Sequence, residues 1–334
     1  MDQVLEEPKV VEQERHVVVS DSKKTTTPDI TVGTHSFNQR YLYAFATQGE
    51  ISNHIRTQTL EEEVARMPEI LFQWRAQQPR VQQLIQNETG LADQSWLGDL
   101  PPELAPKLNA IAGDALLKKT FSHLPISFAL VEIDKLVAPQ RSVNLDYVGR
   151  LQTAYGERTS LSDLVDICVS PVRDMPPIQH LEVANSTHVF SSPNLDIRFL
   201  GAFLKKLTPE DLQFAAIGGI PAAAIIAFVG YGGAPINVLR SQNRLVLNNG
   251  FHRVYALRSL GVTKVPVVVL HVSNVQLEFP PVVAGLPREY LLGATRPVLM
   301  KDFFEDGFCI NLKAKDRVKV VTLQTSPSQF DVPS

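Results

Sequence analysis

The sequence predicts an α+β protein, and three observations carry that expectation. Residues 243–269 pass from an alternating apolar stretch through Asn248-Asn249-Gly250 to a helical run and then a β-branched run, a strand, turn, helix, strand unit. Residues 38–123 repeat apolar side chains every three or four positions, the period of amphipathic helices. The chain has 334 residues, 44% hydrophobic and 20% charged, an ordinary globular balance with enough length for a sizeable core.

Taken in order, residues 1–36 mix charged, Thr and Pro residues around one short apolar run, and they are expected to form a disordered tail. Residues 37–123 are expected to make a small helical domain. Thr59 and Glu62 have capping-box spacing ahead of Leu60, Val64, Met67, Ile70, Leu71 and Trp74, with Pro68 as a kink. A second run covers residues 79–86, and a third follows Pro101-Pro102. The Leu, Met and Trp stripe reads as core. Its Gln- and Arg-rich opposite face is a solvated surface or a dock for a protein partner.

Residues 124–275 form the expected main domain, opening with a strand over Ile126 to Ile133. About 95 residues, roughly 142–234, then intervene before the Pro235 to Leu239 strand and read as an insertion that builds a surface of its own. Phe214 to Leu239 carries no charged residue, long enough for a membrane span. Gly218-Gly219, Pro221 and Gly230 to Gly233 interrupt it, so a buried helix near Ala222 to Val229 and a Gly-rich turn are expected, with no membrane. His180, Glu182 and His188 are weighed as metal ligands; His180 and Glu182 share a face only on a strand and no Cys pair completes a zinc set, so no metal is expected. Cys168 and Cys309 are too few for a disulfide framework, and a cytoplasmic setting is the default. The net charge of -3 gives no global attraction to nucleic acid. Residues 276–334 read as a C-terminal extension with a strand near Val318 to Leu323.

Chemistry concentrates at the turn. The first amides of a helix lack intrahelical acceptors and its dipole favours an anion, so a helix starting after Gly250 is a phosphate cradle. Asn249, Gly250, His252 and Arg253 are its candidate residues, His252 and Arg253 adding side-chain donors.

Gly250, His252, Arg253, Gly261 and Val265-Pro266-Val267, with Asp134-Lys135-Leu136 and Pro139-Gln140-Arg141 upstream, resemble the ParB/sulfiredoxin superfamily. The resemblance implies a mixed α/β domain, here with an insertion much longer than the family's usual helix and loop, and adds Gln140 and Arg141 as accessory residues of a nucleotide site for CTP, ATP or ADP, leaving Mg²⁺ open. Phe251 stands where sulfiredoxins carry a Cys and ParB proteins a Glu, so sulfur chemistry is not expected. No helix-turn-helix pattern follows the last strand, which argues against ParB-type DNA binding. The expectation is a regulatory or partner-docking protein that binds a nucleotide or phosphate-bearing ligand. Two alternatives stand beside it: a phosphotransferase or nuclease-like enzyme using Glu157 or Asp163 as a base, and an assembly protein with a vestigial phosphate site.

Overall fold

The structure, a computed structural model, describes residues 36–171, 175–183, 187–194, 196–214 and 221–331. Of the expected tail only Ser36 falls among them, and Asp174, Asn185 and Gly218-Gly219 lie outside them. The described residues pack as one unit with mixed α/β architecture.

Lys264–His271 runs through the middle of a five-stranded sheet, and its Val265, Val267, Val268 and Val269 are fully buried. A strand covered on both faces gains from apolar residues at every position, which is why this stretch is a continuous run. It lies parallel to Asn237–Ser241 and antiparallel to Ile126–Glu132. Arg244–Asn249 and Leu97–Gly98 form the two edges. Asn237–Ser241 and Arg244–Asn249 are joined by Gln242 and Asn243, with Gln242 at φ 52°, the positive φ that tight hairpins use. The Phe251–Ser259 helix then carries the chain back to the sheet centre, and Gly261 follows it at φ 86°.

The region before residue 124 does not stand apart as a helical domain. Ser36–Tyr41 is a strand between Ser142–Asn144 and Ile310–Lys315, joining both ends of the described unit in one sheet. Val81, Leu104 and Leu117 share a single core cluster with Val131, Leu247 and Val267, so packing shows no break near residue 123. The helices divide their apolar residues: Ile51, Ile55 and Ile70 pack together with Tyr41 and Leu312 in a second cluster, while Val81, Leu104 and Leu117 join the main core.

Local details shift too. The capping box belongs to Thr47 and Glu50, which start the Gln48–Gln58 helix. Thr59 ends that helix: its hydroxyl donates to the Ile55 carbonyl at 2.6 Å and its backbone bridges to Ala314. Pro68 sits in the first turn of the 21-residue Met67–Asn87 helix, where it removes no intrahelical bond, and therefore starts a helix instead of kinking one. Pro79 lies inside that same helix, which merges the two runs expected there. Part of its Gln and Arg face is occupied internally. Gln78 donates to the Ala44 carbonyl, and Arg80 donates to the Asp306 carbonyl and pairs with Glu305.

The insertion contributes the Leu145–Tyr155 and Leu161–Val169 helices, the strands Gln179–Val183 and Thr187–Ser192, which form a three-stranded sheet with Lys319–Gln324 of the C-terminal extension, and a separate hairpin. That hairpin overturns the buried helix expected near Ala222 to Val229. Ala223–Tyr231 is a strand paired with Ile197–Lys206. Periodicity does not separate a short apolar strand from a buried helix, and here the ladder partner decides. Among the described residues no helix is long and apolar enough to cross a membrane.

Candidate functional site

The turn is built by its asparagines. Asn249 accepts the Gly250 N–H through Oδ1 at 2.7 Å and donates through Nδ2 to the Gly233 carbonyl at 2.5 Å. Asn248 donates to the Asn237 side chain at 2.8 Å, and Asn237 in turn donates to the Pro235 carbonyl. These amides lock the turn to the next strand and to the Gly-rich segment after the hairpin. Asn249, nominated as a ligand-binding residue, also shapes the backbone of the turn through both ends of its amide. Gly250 sits at φ 94°, and a Cβ there would lie 2.7 Å from Ile236 Cγ1, so both backbone and space demand glycine.

Helix Phe251–Ser259 begins directly after it, with Val254 N–H donating to the Gly250 carbonyl at 2.9 Å. Phe251 is 4% exposed and meets the Phe303 ring edge-on at 5.2 Å. Its place in the motif is thus a core position. His252 Nε2 accepts the Asn144 N–H at 3.1 Å, and its ring meets Tyr147 edge-on. His252, nominated as a side-chain donor, thus uses Nε2 as an acceptor. Asn144 also caps the Leu145–Tyr155 helix, its Oδ1 accepting the Tyr147 N–H at 2.9 Å, so His252 ties two helix starts together.

Arg253 is 5% exposed. Its Nη1 donates to the Ile167 carbonyl at 3.4 Å, near the end of the Leu161–Val169 helix, where a cation meets the negative end of the helix dipole. Cys168 lies beside it. Burial pushes that thiol up to about 12, against an opposing pull from the Arg253 charge. Arg141 Nη1 donates to Glu50 at 2.9 Å, linking the segment after the first strand to the Thr47 capping box.

All six nominated residues, Gln140, Arg141, Asn249, Gly250, His252 and Arg253, line one cavity of about 1110 Å³. Arg150, Arg198, Lys315, Arg317 and Lys319 join Arg141 and Arg253 in its lining, against the carboxylates of Asp196 and Asp316. Asp196 pairs with Arg198, and Asp316 accepts its neighbour's N–H at 2.8 Å. Seven cations against two carboxylates give the lining a positive balance that the whole-chain charge of -3 conceals. In the same lining His54 stacks on Tyr41 at 4.0 Å and donates to Gln39 Oε1 at 2.7 Å. Burial, helped by the Arg317 charge, lowers its pKa to about 4 and keeps it neutral.

The C-terminal cations were not nominated from the sequence. One signal was readable: Lys313, Lys315, Arg317 and Lys319 alternate, the spacing of one strand face. Glu157 and Asp163, nominated as bases, are absent from the cavity lining, and Asp163 accepts from Ser160 and pairs with Arg158. His180 and His188 do meet, across two strands, with ring nitrogens 3.2 Å apart. Among the described residues no group of three or more His, Cys, Asp or Glu is placed to hold a metal.

No protein-family model, curated protein or solved structure matches the chain. Its chemistry has to be read from the cavity itself. The arrangement there offers preorganised main-chain donors at a helix start, cations around them and a polar, partly aromatic lining, which suits an anion attached to a larger body.

Proposed function

We propose that the protein binds a phosphate-bearing ligand, a nucleotide such as CTP, ATP or ADP, in the cavity at Gly250 to Arg253. Binding there acts as a regulatory or partner-docking step on a ParB/sulfiredoxin-like plan. One observation carries the reading: the helix start after Gly250 shares a cavity with seven cations, and the lining stays positive after Arg198 is paired with Asp196 and Arg141 with Glu50. A phosphate placed there meets main-chain donors and charge together. Tyr147 and Gln58 line the same cavity beside these groups.

The test is thermal stability of the purified chain with CTP, ATP, ADP and GTP, each with and without Mg²⁺. A ligand at about 100 times its dissociation constant adds about 2.7 kcal/mol. The shift is expected to disappear in Arg317→Glu/Lys319→Glu, which alters the rim and leaves the turn intact. No shift with any of the four at millimolar concentration would overturn the proposal.

The Arg253 bond to Ile167 favours a second reading, in which the old phosphate site now serves only to brace the insertion. Under that reading Arg253→Ala destabilises the fold while nucleotides leave both proteins unshifted.

A further inference from the structure

The geometry points to self-association: two copies of this chain join through the hairpin of Ile197–Lys206 and Ala223–Tyr231, pairing along the Ala223–Tyr231 edge. Among the described residues this hairpin is a two-stranded sheet with no third strand on either side. Both its faces are apolar. Phe203 opposes Ile226 on one face and Leu204 opposes Ile225 on the other. Phe203 and Phe228 stack at 5.6 Å, yet each remains 48% exposed, and Ile225 is 77% exposed. Residues 199–204 and 223–231 contain no charged side chain. An uncharged strand with an open edge is a template for another strand, and native proteins normally protect such edges with charge, proline or a bulge.

Strand number and charge select a second copy as the occupant. A lone two-stranded hairpin is marginal in water, whereas two copies joined edge to edge make a four-stranded sheet, with Ile225 and Phe228 exposed on the pairing strand and Phe199, Leu200, Phe203 and Leu204 on the strand behind it. Antiparallel self-pairing through Ile197–Lys206 would set Arg198 of one copy near Lys205 and Lys206 of the other, a like-charge contact. Pairing through Ala223–Tyr231 brings no charges together. Ala227, small and exposed, stands at its midpoint, where a two-fold axis would cross. A lipid bilayer fits less well, because a lone hairpin in hydrocarbon leaves its outer backbone groups unsatisfied and would have to accommodate Lys205 and Lys206.

Sedimentation velocity of the full chain across micromolar concentrations tests this. The wild type is expected to dimerise, and Ile225→Lys/Ala227→Lys to weaken the dimer at least tenfold by placing like charges on both sides of the axis. Both positions are exposed, so the variant should melt as the wild type does. Leu181→Lys, at another exposed apolar position, is expected to leave the dimer unchanged. A monomeric wild type, including one that binds vesicles of phosphatidylcholine and phosphatidylglycerol, would overturn the inference. So would a dimer indifferent to Ile225→Lys/Ala227→Lys.

Discussion

Replacing Gly250 with alanine tests whether the turn is held as the structure describes. Two costs add there. A non-glycine residue in the left-handed region costs about 1–2 kcal/mol, and Gly250 sits at φ 94°. The new Cβ would also fall 2.7 Å from Ile236 Cγ1 and 3.1 Å from its Cβ and Cγ2. Ile236 is fully buried and has little room to yield, so overpacking adds about 1–3 kcal/mol. The expected loss is about 2–5 kcal/mol, a large share of a typical domain's stability. Gly261→Ala is the control: φ is 86° but nothing lies within 4 Å of its Cβ, so only the backbone cost of about 1–2 kcal/mol applies. Urea unfolding followed by circular dichroism measures both. In the double variant with Ile236→Ala the loss should fall short of the sum of the singles by about 1 kcal/mol or more. Equal losses for the two glycine variants, within about 0.5 kcal/mol, would refute the close approach of Ile236.

Three further outcomes follow from buried groups. Asp302 and Arg296 form a two-bond ion pair at 2.5 and 2.7 Å in the core, and Glu88 also accepts from Arg296; Asp302→Ala should cost about 3–5 kcal/mol in urea unfolding because the buried guanidinium loses the more deeply buried of its two carboxylates. Folded His54 titrates near pH 4 instead of 6.5, so between those values the unfolded chain holds more protons. Stability should therefore fall as pH drops from about 6.5 to about 4, by roughly 2–3 kcal/mol from this group, and be flat above that window; His54→Gln should flatten the slope. Burial pushes the thiols of Cys168 and Cys309 up to about 12, so a disulfide reagent should label neither in the native protein and both after guanidinium unfolding.

The strand, turn, helix, strand unit was legible because its information is local. Asn248-Asn249-Gly250 specifies a turn, Val254 and Leu257 a buried helix face, and Val265 to Val269 a doubly covered strand. Helix starts were legible in kind but not in place: Thr47-x-x-Glu50 and Thr59-x-x-Glu62 have the same spacing, and only the bridge from Thr59 to Ala314 shows which one caps. The strand at Ala223–Tyr231 was misread as a helix because its pairing partner lies far upstream, across residues outside any local window.

The same division holds at the candidate site. By itself the sequence determined the left-handed glycine, the helix that follows it and the nomination of His252 and Arg253, since each depends on a few adjacent residues. Only the tertiary structure decided what those side chains touch. It set His252 under the Asn144 N–H and Arg253 against the Ile167 carbonyl, and it brought Arg198, Lys315, Arg317 and Lys319 into one cavity with the turn. Those cations come from segments far apart in the chain, and charge acts through space: a chain with net charge -3 can still gather a positive surface wherever its fold brings distant strands together.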